Sequence, residues 1–263
     1  TYRAEWLGND LALLGKLPKA VTEAFAKAER PAMIVGAGGI RGLGAALKAA
    51  DTLKLVRDDW NGFNVLHISA ARMGSLMLGY AQPGGIADIV AAKPKLAFFL
   101  GADEVDFASF AKSFKVFIGH HGDKGAAAAD VVLPGASYAE KSGTWVNLEG
   151  RVAVGQRAVF PPGDAREDWT ILRALSAVIG KPLPFDTLGE LRAAMAAEVP
   201  ELGQEGLVRF PWAPPKLDAK AAGEIAYPIK DFYLTNAICR ASPTMQRCSA
   251  ELIHGESFAE AAE

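Results

Sequence analysis

KVFIGHHGDKGAAAADVVLP, residues 115–134, holds two short apolar runs parted by a polar, glycine-bounded loop and four alanines. Runs of four or five apolar residues bounded by turn signals read as buried strands. The preceding stretch has the same form: KLAFFLGADEVD at 95–106 is an apolar run ending in Gly101 and three acids, and DFASFAKS at 106–113 has a helix's spacing. Strand, helix, strand, repeated, predicts βαβ units with right-handed crossovers and a parallel sheet. The fold expected is therefore α/β: an open, mostly parallel, doubly wound sheet with helices on both faces. An extended C-terminal docking tail follows it. The organisation expected is an α/β domain over 1–200, a Pro-rich linker over 201–226 marked by Pro211, Trp212, Pro214 and Pro215, and the tail over 227–263. The tail mixes Phe232, Tyr233, Leu234 and Ile238 with Arg240 and Arg247, which suits packing on its own domain or a partner better than solvation.

Loops at the carboxyl ends of strands in open α/β sheets are where ligands bind. Two such loops stand out here. The first holds His120, His121 and Asp123; the second, at 140–151, holds Asn147, Glu149 and Arg151, whose amide and guanidinium groups suit a polar cofactor. Consecutive histidines point in different directions, so a metal on both is not expected. Other stretches invite chemistry with less support. Residues 36–44, GAGGIRGLG, follow a strand, but the sixth place of a dinucleotide fingerprint is Arg41 instead of glycine. Asp103, Glu104 and Asp106 suit helix capping at least as well as a ribose or metal. His67 and the methionines of 60–80 suit a core, in a helix that Asn64 would cap. No Gly-x-Ser-x-Gly elbow and no Walker loop is present. Cys239, Cys248 and His254 are too uneven for a metal set, and two cysteines cannot by themselves hold an iron–sulfur cluster.

The wording of these stretches carries a resemblance. GHHGDKG at 119–125, ADVVLP at 129–134 and EKSGTWVNLEGRV at 140–152 resemble the molybdopterin-oxidoreductase superfamily. Within it they are most similar to the branch of the large iron–sulfur subunit of respiratory complex I (NADH–quinone oxidoreductase). PPGDAREDWTILRALSAVIGKPLPFD at 161–186 and YPIKDFYLTNAICRASPTMQRCSAEL at 227–252 extend the likeness over most of the chain, with Ala153 a departure where a polar residue is common. The resemblance implies the C-terminal part of a longer polypeptide whose N-terminal part carries 2Fe–2S and 4Fe–4S clusters, with no cofactor in this segment. It implies electron transfer from NADH to quinone by the whole enzyme, and a scaffold role here with a vestigial pterin pocket at His120, His121, Asp123, Asn147, Glu149 and Arg151. The partners implied are other subunits of the complex I peripheral arm. The place implied is the cytoplasmic face of a bacterial inner membrane or the matrix side of the mitochondrial one. A fragment of a molybdenum enzyme such as a formate dehydrogenase is the alternative.

Composition agrees with a sizeable core. Half of the 263 residues are hydrophobic and 22% are charged. A net charge of −2 gives no electrostatic case for nucleic acid or for an anionic membrane, so membrane contact would come indirectly through partners. Helices are expected over 9–14, 18–28 and 163–180, the last begun by a capping box of Asp164 and Glu167. A second box, Thr187 and Glu190, precedes a further helix.

Overall fold

The computed structural model describes residues 4–70, 72–81, 84–208 and 212–256. Backbone contacts divide the chain into one unit of 1–72, 147–151 and 207–230 and another of 73–146, 152–206 and 231–263.

In the first unit, a 3-10 turn at Leu11–Gly15, capped by Asp10, stands where a helix was expected over 9–14. Helix α1 (Lys19–Lys27) starts directly after Pro18, and strand β1 (Met33–Val35) follows. A 3-10 turn (Ala37–Gly42) leads into α2 (Leu43–Thr52), then β2 (Val56–Arg57), β3 (Trp60–Asn61) and β4 (Phe63–Val65). Strands β1 and β4 pair in parallel, Ile34 opposite Asn64, while β2 and β3 form a short antiparallel ribbon. Asn64 is therefore a strand residue and caps no helix. Its pairing partner lies thirty residues away, and long-range pairing overrides a local capping signal. Ala46, Leu47 and Ala50 of α2 are buried with Val35, Leu55 and Phe63. The alanines let the helix backbone lie close to the strands.

The second unit contains α3 (Arg72–Met77), α4 (Gly85–Ala91), β5 (Leu96–Leu100), β6 (Phe114–Gly119), α5 (Lys124–Ala128) and β7 (Val131–Pro134). Pro211 of the expected linker lies outside the described residues. Strands β5, β6 and β7 lie side by side in parallel, with Phe99 opposite Phe117 and Ile118 opposite Leu133. Phe99, Phe110 and Phe117 form the core of one face, and Ala126 and Ala129 of the alanine run pack onto it. Gly125 has to be glycine there, since a Cβ would stand 2.3 Å from the Phe117 ring. Strands β8 (Gly143–Val146) and β9 (Arg151–Gly155) make an antiparallel hairpin. Helices α6 (Asp168–Val178) and α7 (Leu188–Glu198) and the short strand β10 (Gly206–Leu207) come next, and β10 joins the hairpin as its third strand. The tail holds α8 (Ala237–Ala241), α9 (Pro243–Cys248) and a π-turn at Ser249–Ile253.

The architecture is mixed α/β with small open sheets, two parallel and two antiparallel, among the described residues. The sequence pattern suggested a mostly parallel sheet. The antiparallel share comes from short loops, because a four-residue link such as 147–150 can join only antiparallel neighbours. Helix α6 starts later than expected and lacks the box of Asp164 and Glu167. The Glu167 carboxylate accepts from Trp169 Nε1 at 2.9 Å and pairs with Arg157. The Thr187–Glu190 box does form, each side chain accepting from the other residue's backbone N–H.

Candidate functional site

Strands β6 and β7 end side by side, tied by Gly135 N–H donating to Gly119 O at 2.9 Å. Beyond them lies a cleft of about 410 Å³. Its walls are His120 and His121 after β6, residues 134–140 after β7, a short stretch around Asp164, and Ile238 from the tail. The histidines face each other, Nδ1 to Nδ1 at 2.5 Å, so one ring donates and the other accepts. Burial, then the neighbouring His121 and Lys141, lowers the His120 pKa from its ordinary value, against the opposing pull of Glu140 and Asp168. Glu140 accepts from Ser137 N–H at 2.8 Å, which shapes the loop. Lys141, just outside the wall, is paired with Asp168.

Asp123 follows the histidines, and its carboxylate is taken by the tail. Arg240 Nε donates to it at 2.5 Å, while Arg240 Nη2 donates to Glu104 at 3.0 Å. Burial pushes the Asp123 pKa up, but the Arg240 hydrogen bond, the Lys124 backbone N–H and the charges of both residues together outweigh it, and the net shift is downward. Within the tail itself, buried Ser249 donates through its hydroxyl to Asp231, and that hydrogen bond is the main cause of the lowered Asp231 pKa. The role of Arg240 was missed in the sequence because its partner lies 117 positions away. The available signal was Asn236, which caps α8 by accepting from Cys239 N–H and so fixes where Arg240 projects.

Asn147, Glu149 and Arg151 fall in the first unit. Asn147 Oδ1 accepts from Glu149 N–H at 3.0 Å and Arg151 N–H at 2.9 Å, closing the β8–β9 hairpin. The Glu149 and Arg151 side chains are exposed, with no hydrogen bond or ion pair among the described residues. The 36–44 turn is occupied by the chain itself. A Cβ on Gly38 would stand 1.9 Å from Ala226 O, and one on Gly44 would stand 2.1 Å from Asp218 O. Ala226 N–H donates to Gly38 O, and Leu11 N–H to Gly223 O. The glycines thus admit the 218–226 segment, where a dinucleotide site would need them for pyrophosphate. His67 is half-buried, and Cys239 and Cys248 are partly buried free thiols. Among the described residues no three His, Cys, Asp or Glu side chains converge as a metal site would require.

A family model for molybdopterin oxidoreductase matches residues 1–178. A second, for the C-terminal part of the G-type subunit of NADH-ubiquinone oxidoreductase, matches 213–248. The mitochondrial 78 kDa subunit of NADH-ubiquinone oxidoreductase from Neurospora crassa is 40% identical over 95% of this chain and 36% of that protein. The 75 kDa subunit from Reclinomonas americana is 34% identical over 95% of this chain and 39% of its own length. The G-type subunit of NADH-quinone oxidoreductase from Rickettsia typhi is 35% identical over 94% of this chain and 38% of its own. The chain spans little more than a third of the length of these relatives.

Proposed function

From a chain that belongs to the molybdopterin oxidoreductase family, in the branch of the large iron–sulfur subunit of complex I, we propose that it serves as a scaffold portion of NADH:quinone oxidoreductase. The whole enzyme passes electrons from NADH through 2Fe–2S and 4Fe–4S clusters to quinone, coupled to proton translocation. The clusters belong to the N-terminal part of the full subunit, since Cys239 and Cys248 are too few to ligate one. The partners are other subunits of the peripheral arm, on the cytoplasmic face of a bacterial inner membrane or the matrix side of the mitochondrial one. Contact with the membrane is indirect; no described helix is long and apolar enough to cross it. Each small parallel sheet is read as a doubly wound element of its own unit within the 1–200 domain, with 201–226 as linker and 227–263 as docking tail.

One observation carries the scaffold reading: among the described residues, the cleft is lined by two carboxylates, Glu140 and Asp164, and by no lysine or arginine. A phosphate-bearing pterin needs cationic forks or a nest of backbone N–H groups. The residues present do not fit such a group. His120, His121 and Asp123 are read as the remains of a pterin pocket, and Asn147, Glu149 and Arg151 as the remains of its second loop. Asp123 now anchors the tail, and Asn147 closes a hairpin.

The test is recovery of the tagged full-length subunit from gently solubilised native membranes. The outcome expected is co-purification of NADH-oxidising, cluster-bearing and membrane-embedded subunits. Recovery with stoichiometric molybdenum and a small electron-transfer partner would replace this reading with that of a molybdenum enzyme such as a formate dehydrogenase.

A further inference from the structure

The loop after β6 carries both a pair of histidines that share one hydrogen and the carboxylate that receives the tail. His120 and His121 meet Nδ1 to Nδ1 at 2.5 Å, their rings edge to face with centroids 4.8 Å apart. Two ring nitrogens hold such a contact only while one carries a hydrogen and the other a lone pair. A proton added to the pair sets N–H against N–H, and one ring has to turn away. The space open to it is the cleft, whose wall includes Ile238 of α8. Asp123, two positions after His121, accepts from Arg240 Nε of the same helix. The loop thus grips α8 at two points, an apolar one at the histidine cleft and an ionic one at Asp123.

The charged groups around the pair do not hold a proton on it. Asp123 and Glu104 are taken by Arg240, and Asp168 by Lys141. Lys124 adds a further positive charge to the loop. Glu140, which accepts from Ser137 N–H, and Asp164 stand in the cleft wall. Burial, with His121 and Lys141, outweighs the attraction of Glu140 and Asp168 and lowers the His120 pKa from its ordinary 6.5. The closed arrangement therefore prefers the uncharged pair, whereas a ring turned into the cleft gains the carboxylates of its wall. We propose that the His120–His121 pair is an acid-operated latch for the tail: uncharged, it keeps the loop closed against α8, and protonation parts the rings, drives one toward Ile238 and releases α8. Because the closed form has the lowered pKa, docking is complete above the ordinary histidine value and weakens as pH falls below it. One such histidine can raise the ratio of released to docked tail by at most about tenfold at about pH 5.5. Carboxylates contribute almost nothing there, since their ordinary values lie near pH 4. The latch consists of contacts inside the second unit and is independent of the complex I reading.

The test is amide hydrogen exchange of the full-length subunit at about pH 7.5 and about pH 5.5, corrected for intrinsic rates. Amides 237–241 are expected to exchange about fivefold faster at the lower pH, while amides 116–118 of β6 stay unchanged. His121→Gln should abolish this step. An amide side chain offers either an oxygen or an N–H, so it stays bonded to His120 whether that ring is neutral or charged. Exchange at the histidine C2 carbons, followed by mass spectrometry in the unsubstituted subunit, gives the titration midpoints of His120 and His121 directly. One of them should coincide with the tail's step, and this comparison decides the matter even where the variant fails to fold. No acceleration at 237–241, a step that survives His121→Gln, or a step that coincides with neither histidine would each overturn the proposal.

Discussion

Two strand-to-helix turns in this molecule began with the same promise and ended differently. The 36–44 turn after β1 and the 119–124 loop after β6 both lie at the carboxyl ends of parallel strands, where such folds bind ligands. In the first, the 218–226 backbone lies directly against Gly38 and Gly44, and no space is left for a ligand's phosphate. In the second, the tail reaches over with single side chains, Arg240 to Asp123 and Ile238 into the wall, and a cleft of about 410 Å³ survives. Backbone filling is irreversible in sequence terms, since it selects glycine. Side-chain filling leaves the older residues in place, now with structural work. The difference teaches that glycine spacing and polar loop residues can outlast the site they once served.

If the glycines of the first turn exist for chain packing, enlarging one should produce the largest effect in the molecule. Gly38→Val puts two methyls beyond a Cβ that already meets Ala226 O at 1.9 Å, and backbone cannot swing aside. We expect a loss of about 3 kcal/mol or more, in the range of severe overpacking. Urea unfolding measures it. Trypsin cleavage after Lys216 and Lys220 in native buffer should rise in parallel. Unchanged stability with new nucleotide binding would reverse the comparison.

The second turn should respond less, because side chains can be lost one at a time. Arg240→Met keeps the stem and removes the guanidinium, leaving Asp123 and Glu104 without their partner. A charged hydrogen bond of this kind gives a loss of about 2 kcal/mol. A double-mutant cycle with Asp123→Asn should recover about half of it, because the two residues share one interaction. Additive losses would show that Arg240 acts through packing alone.

Acid should loosen this region and leave the first turn untouched. Asp123 and Asp231 have folded pKa values below the ordinary carboxylate value, so the folded form binds fewer protons than the unfolded one in that range. Their contribution is complete above the ordinary value, near pH 4, and is lost as pH falls through the lowered ones. His120 works in the same direction at higher pH. Its folded pKa is lowered, so stability rises as pH climbs toward the ordinary histidine value and declines below it. Hydrogen exchange of 231–250 against pH should show two steps on acidification. NMR of the His120 ring should place its midpoint below that of a free histidine; a midpoint above it would contradict the geometry.

What could be read from the sequence follows the range of the interactions. The β5, β6 and β7 strands were legible because three to five apolar residues in a row, bounded by Gly101, Gly119 and Pro134, leave few alternatives. The positions of His120 and His121 at a strand end followed from that. Asn64 was misread because its side chain is a good helix cap but its backbone pairs with Ile34. Asp164 and Glu167 had the spacing of a box, yet Glu167 was claimed by Trp169 and Arg157, partners on both sides in sequence. The tail's attachment was illegible in kind, since Arg240 and Asp123 lie 117 positions apart and no local pattern links them. Local signals fail where a distant group competes for the same atom.

Thr187 tests that rule where no distant group competes. Its hydroxyl accepts from Glu190 N–H at 3.2 Å, and the Glu190 carboxylate returns the bond to Thr187 N–H at 3.0 Å and to Asp186 N–H at 2.7 Å. The backbone N–H of Asp186, then that of Thr187, holds the Glu190 pKa below its ordinary value. Thr187→Ala removes one acceptor from the first turn of α7 and should lower stability by about 1 kcal/mol, as N-cap losses do. Glu190→Gln keeps the reach and loses the charge, so it should have less effect still. Neither change touches β6, β7 or the tail, and the hydrogen exchange of 231–250 and the His120 midpoint should be unmoved by both. A shift in either would mean that α7 and the cleft share a cooperative unit. The separation between local boxes and long-range clamps would then fail in the one place where the sequence made it easiest to see.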